Sequence, residues 1–185
     1  MRVIAASEIR GQATSSDKQL KTALGQWLDS PPRRLDRLIL QALLGATALK
    51  DRVLSDCGLY LAARYPSRPT MGTLLDAVCV QHKQPKPFEF INSVSNSAGF
   101  HIAQQLGLEG PNLFIGAGER VWAQLLSLAT LDLDEGLASQ ALLLLCDEQH
   151  DFCVQALLLE GGEGRLPASD FAGLSAGVAV RRLEL

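Results

Sequence analysis

No apolar stretch in this sequence approaches the ~20 residues needed to cross a bilayer. The run nearest the start, Val3–Ala6, is too short for a signal-peptide core. Neither a membrane span nor export is therefore expected. Cysteine is scarce: Cys57, Cys79, Cys146 and Cys153 show no C-x-x-C spacing and sit in apolar surroundings. They read as reduced core thiols, which points to the cytoplasm. Cys146, His150 and Cys153 do not repeat a common zinc spacing, so no metal is expected. A Lys/Arg tract interleaved with aromatics is also missing, and 20 acidic residues outnumber 17 basic ones for a net charge of -3. Nucleic acid is a poor partner for such a chain.

What is present suits one domain over residues 1–185. Hydrophobic residues make up 47% of the chain, too many for disorder. A chain of this length buries about 70% of its unfolded surface on folding. Strand patterns at Met1–Ile9, Cys57–Ala63, Leu113–Ile115, Gln140–Cys146 and Gly177–Leu183 alternate with helical ones. Leu35–Leu49 carries one continuous apolar face behind Pro31 and Pro32, with Arg33, Arg34 and Arg37 as a solvated helix start. Met71–Val80 reads as a helix with Met71, Leu74, Leu75 and Val78 inward. Gly11–Pro32 reads as a loop with one weak helical turn, Lys83–Pro87 as a loop, and Phe152–Leu159 stays unassigned. The alternation predicts an α/β fold with a mainly parallel five-stranded sheet and helices on both faces.

The centre of the pattern is Gly110–Arg120, GPNLFIGAGER. A short strand expected to be buried, Leu113–Ile115, runs into Gly116-Ala117-Gly118, small enough for a sharp turn with backbone close to backbone. Val121, Trp122, Leu125, Leu126, Ala129 and Leu133 then follow at helical spacing. Strand, small turn and helix form an elbow of the kind that lifts a nucleophile into a pocket. The lifted residue here is Glu119. Ahead of the elbow, Asn92–Leu106 predicts a helix rich in Ser, Ala and Gly. Such small residues, of which Ser and Gly are poor helix formers, imply close packing by another backbone.

KPFEFINSVSNSAGFHIAQQLGLEGPN, the elbow, and the strand Leu142–Glu148 ending in Asp147-Glu148 together resemble the β-ketoacyl synthases. The likeness covers about Leu35–Glu148 and is to the N-terminal half of their thiolase-like fold. It places Glu119 where the family has its nucleophilic Cys. A carboxylate is a far weaker nucleophile towards a thioester than a thiolate. Ketosynthases also use two histidines from their C-terminal half; His82, His101 and His150 are not at matching positions, and the chain stops where that half would start. The loss is similar to that of chain-length factors of type II polyketide systems, and most similar to half-length versions beside aryl polyene synthases.

The resemblance implies a subunit that is not catalytic by itself, uses no cofactor, and forms a heterodimer with a ketosynthase. The acyl carrier protein is reached through that complex. In ketosynthase dimers the Pro-Phe segment before the small-residue helix crosses the interface and helps close the partner's acyl pocket. Met71, Phe88, Phe90, Asn96 and Phe100 are accordingly the candidate acyl-tunnel and interface residues. Two rivals stay open: a stand-alone malonyl decarboxylase or acyl hydrolase using Glu119, and a pure scaffold. With no second catalytic group to name, Glu119 reads better as filling a retired pocket. Half a fold would also leave the surface around Trp122, Leu125, Leu126 and Ala129 open to water.

Overall fold

The apolar runs become the strands of one sheet in a computed structural model that describes residues 1–65, 68–148, 151–162, 166 and 170–185. The strands are β1 (Arg2–Gln12), β2 (Gly58–Ala63), β3 (Asn112–Gly116), β4 (Gln140–Glu148), β5 (Asp151–Glu160) and β6 (Val180–Glu184). Their order across the sheet is β3-β2-β4-β5-β1-β6. β2 pairs in parallel with β3 and β4, and β1 in parallel with β6, whereas β5 is antiparallel to both its neighbours, β4 and β1. Five strands thus run one way and β5 alone opposes them. The five parallel strands are those expected from sequence; β5, the sixth, is the run that sequence leaves unassigned.

The helices are α1 (Asp17–Leu24), α2 (Arg37–Thr47), α3 (Arg68–Leu75), α4 (Pro87–Ser93), α5 (Ser97–Leu106), α6 (Val121–Asp134) and α7 (Phe171–Leu174). Strand side chains alternate between faces, so β4 sends Leu142, Leu144 and Cys146 towards α1, α2 and α5. It sends Ala141 and Leu143 towards α6 and α7. Both layers are therefore anchored on the same buried strand. Tyr60 of β2 is fully buried, and its hydroxyl donates to Asp132 Oδ2 on α6 at 2.6 Å. Burial, then that bond, pushes the phenol's pKa upward.

Local chemistry sets several helix ends. Ser16 and Gln19 form a reciprocal capping box, with Gln19 N donating to Ser16 Oγ at 3.3 Å and Ser16 N to Gln19 Oε1 at 2.7 Å. This turns much of the expected Gly11–Pro32 loop into α1, with Leu20, Ala23 and Leu24 buried. Asp36 caps α2 by accepting from Leu38 N at 2.8 Å, and it also accepts from the Thr70 hydroxyl of α3. Gly107 ends α5 at φ 65°, a left-handed cap suited to glycine. The small residues Ser97, Ala98 and Gly99 are buried where α5 packs on α2 and β3.

Four other expectations change. Asn92–Leu106 is not one helix: α4 starts at Pro87 and ends at Ser93, and α5 starts at Ser97. β3 is an edge strand with Asn112 and Leu113 exposed, not a buried one. Trp122, Leu125 and Ala129 are buried against the sheet by α6, so that side of the helix does not face water. Met71, Leu75 and Val78 point outward, since no residue of α3 or of the π-helical turn Asp76–Val80 that follows is buried. Apolar periodicity names a face; it does not say what covers it.

Gly110 allows a close backbone approach. A Cβ there would lie 2.6 Å from the Cys57 carbonyl oxygen and 2.7 Å from that of Asp56. Backbone on both sides cannot yield as a side-chain tip can. Gly110→Ala is expected to destabilise the chain by about 1–3 kcal/mol, as for other overpacked sites. A chemical-denaturation midpoint equal to wild type would contradict it.

Candidate functional site

The elbow is present in outline: β3 ends at Gly116, α6 starts at Val121, and Ala117 N is held to the Ala63 carbonyl at the end of β2, 3.0 Å away. Its details depart from a loaded nucleophile elbow. Among the described residues, positive φ at a non-glycine occurs only at Arg34 and His82, so Glu119 is not held in a strained conformation. A Cβ at Gly116 or Gly118 would meet nothing within 4 Å, so the expected backbone-on-backbone closeness is absent. Glu119 itself is exposed, and no hydrogen bond or ion pair to it is found among the described residues. Its carboxylate stands in water and fills no pocket within this chain. Beside it, Ile115, Ala123, Ser127 and Leu128 line an open depression of about 510 Å³.

The other candidate residues lie on a second surface. Phe88 and Phe90 are 53% and 60% exposed, Phe100 is 60% exposed, and Met71 and Asn96 are exposed as well. None belongs to the core of this chain. Leu75, Val78, Val80, Ile91 and Val94, which sequence analysis did not single out as partners of the phenylalanines, are exposed on the same helices. α3 packs on its π-helical turn and on α4, and α4 adjoins α5, so these elements present their apolar side chains as one region. The signal was in the sequence as aliphatic residues at helical spacing. Its outward direction was not.

The segment is not loosely placed. Asn92 Nδ2 donates to the Arg34 carbonyl at 2.9 Å, and the Arg34 guanidinium lies over the Phe88 ring, 5.1 Å from its centroid. Ser97 Oγ donates to the Ile91 carbonyl at 2.5 Å across the break between α4 and α5. Lys86 N and Nζ both reach the Glu89 carboxylate at 3.3 Å, fixing the first turn of α4 behind Pro87. The segment that carries Phe88 and Phe90 is thus fixed by side-chain bonds of Lys86, Asn92 and Ser97.

The cysteines do not assemble a site. Burial pushes the Cys57 thiol up to about 12 and Cys153 up to about 11, and it raises Cys146 further. All three are therefore protonated and unreactive at neutral pH. Cys79, expected in the core, is exposed on the π-helical turn. His150 lies outside the described residues, and no group of three metal-ligating side chains is found among those described. No helix of the described residues is long and apolar enough to cross a membrane.

No family model matches the chain, and the comparison with curated proteins finds no match. Solved structures do match. The chain is similar to the ishigamide ketosynthase/chain length factor, at 18% identity and TM-score 0.65 over 77% of this chain and 48% of that one. A ketosynthase in complex with its chain length factor from Xenorhabdus doucetiae matches at 16% identity and TM-score 0.64, over 88% of this chain and 79% of that one. A third match is a type II PKS acyl-carrier protein in complex with its ketosynthase bound to the hexaketide, at 10% identity and TM-score 0.63, over 86% and 62% of the two chains. The chain spans about half the length of the ishigamide chain, 48%. These likenesses define the class of the fold, the thiolase-like α/β fold of ketosynthases and chain-length factors. In this chain the strand order of that fold reads β3-β2-β4-β5-β1, with β6 outside β1.

Proposed function

We propose that this chain is a non-catalytic, chain-length-factor-like subunit that pairs with a ketosynthase and shapes its acyl cavity in type II polyketide synthesis, specifically of the aryl polyene kind. The observation that carries the reading is the apolar surface of Met71, Leu75, Phe88, Phe90, Ile91 and Phe100, left uncovered on the segment that the family resemblance assigns to the interface. A dry contact with a ketosynthase covers it, and each large apolar side chain so buried contributes about 1.5–3 kcal/mol. The uncharged, open edge of β3 adjoins α5 and extends the same surface. By contrast, the far edge strand, β6, carries Arg181, Arg182 and Glu184, which guard it against pairing. The complex works in the cytoplasm, and the carrier protein delivers its acyl group to the ketosynthase subunit.

Glu119 tests the non-catalytic half of the proposal. An exposed carboxylate with no hydrogen-bonded acid or base beside it lacks the partner that proton transfer needs. Glu119→Cys is therefore expected to leave the pair without a second condensing site. The readout is radiolabelled acyl transfer in a complex whose ketosynthase has lost its own Cys. Elongated product from that complex would refute the silent-subunit reading, and release of carbon dioxide from malonyl carrier protein by the wild-type chain alone would favour a decarboxylase.

A further inference from the structure

At the carboxyl ends of β2 and β4, beneath the first turn of α2, lies a mostly closed pocket of about 30 Å³. Asp36, Arg37, Gln41, Tyr65, Cys146 and Glu148 are among its lining residues. Arg68 and Pro69, at the start of α3, also line it, and it is apart from the elbow. Gln41 is only 1% exposed, and its Nε2 has no hydrogen-bond partner among the described residues. Leaving such a donor unmade is costly, and buried side-chain amides are as a rule satisfied.

Of the neighbouring groups, Asp36 and Arg37 are already committed. Both Asp36 oxygens are used, one by Leu38 N at 2.8 Å and the other by the Thr70 hydroxyl. Arg37 spends its donors on Glu148 Oε1 at 2.6 Å, the Ser15 carbonyl at 2.6 Å and the Ala13 carbonyl at 3.2 Å. Glu148 Oε2 is an acceptor and Gln41 Nε2 a donor on one pocket, with no direct bond between them; Tyr65 with its hydroxyl, and Arg68, whose guanidinium lies over the Tyr65 ring, line it as well. A pocket needs roughly 10–15 Å³ of this kind of space to hold a water. The volume here admits one and excludes an organic ligand.

We propose that this pocket holds an ordered water, which accepts from Gln41 Nε2 and donates to Glu148 Oε2. The water joins the buried middle of α2 to the end of β4, reinforcing the Arg37–Glu148 pair two elements deep in the fold. Gln41→Leu in the full chain separates this from an empty pocket by the sign of its effect. With the water in place, the substitution removes its donor and lowers the melting midpoint by about 2–4 °C. An unchanged or raised midpoint, as expected when an orphaned amide is replaced by an apolar group, overturns the proposal. Should Gln41→Leu fail to fold, a high-resolution crystal structure of the wild-type chain decides. Discrete density within hydrogen-bond reach of both Gln41 Nε2 and Glu148 Oε2 supports the water, and an empty pocket overturns it.

Discussion

Phe90→Asp combined with Ile91→Asp is expected to abolish the complex with the ketosynthase while leaving the chain's own fold intact. Both side chains are more than half exposed, so neither change opens a cavity in the core. Substitutions at such surface positions usually move stability by no more than about 0.5 kcal/mol. In a dry interface the same changes remove two apolar anchors and bury two unpaired carboxylates. Central anchors of interfaces are worth about 2 kcal/mol or more each, and every 1.4 kcal/mol is about tenfold in affinity. The double variant should therefore bind more than about 100-fold more weakly, with an unchanged melting midpoint. Titration calorimetry together with thermal melting checks both halves. Wild-type affinity would remove the α3–α5 surface from the interface.

Product length should change next, and in opposite directions. Phe88→Ala or Phe90→Ala sets back a wall by one aromatic ring and is expected to lengthen the acyl products. Met71→Trp adds bulk on the neighbouring helix and is expected to shorten them, because forcing extra volume into a filled apolar site costs about 1–3 kcal/mol. Met71 is 38% exposed, so the larger ring needs no rearrangement of this chain's own core. Phe88→Ala also removes the ring beneath Arg34, a contact worth about 0.5–1 kcal/mol at an exposed site. That local loss is too small to unfold α4. Mass spectrometry of carrier-bound products from the assembled pair is the readout. Unchanged lengths in all three variants, with assembly intact, would leave only a scaffold.

The middle of the parallel part was legible because β2 and β4 are buried on both faces. Cys57–Ala63 and Gln140–Cys146 are near-continuous apolar runs, the mark of central parallel strands. β5 hid for a related reason. Phe152, Val154 and Ala156 alternate, but Leu157–Leu159 are continuously apolar, and such a run reads equally well as buried helix or strand. No Asn-Gly or Asp-Gly between Glu148 and Asp151 announced the reversal. α1 was signalled by Ser16-x-x-Gln19 ahead of Leu20, Ala23 and Leu24, a capping box that the mixed composition around it obscured.

At the candidate site, sequence located the residues and misjudged their surroundings. Gly116 and Gly118 suggested a strained, tightly packed elbow, yet both have open space and ordinary backbone. Small residues permit such a turn; they do not compel it. Met71, Leu75 and Val78 were read inward because an apolar stripe normally faces the core of its own chain. Here the core is filled by α2, α5 and α6, and the stripe on α3 is left over. Burial depends on what else folds onto an element, which periodicity within that element does not record. Trp122, Leu125 and Ala129 show the converse, since the sheet itself covers them.

The central claim is the pairing, and co-expression with a type II ketosynthase tests it most directly. Tagged at one subunit only and purified at micromolar concentration, the two should co-elute in equal amounts, with light scattering giving the mass of one or more complete pairs. The chain expressed alone should self-associate in its folded state through its uncovered α3–α5 face. A chain that stays monomeric and leaves the ketosynthase behind on the column would contradict the account.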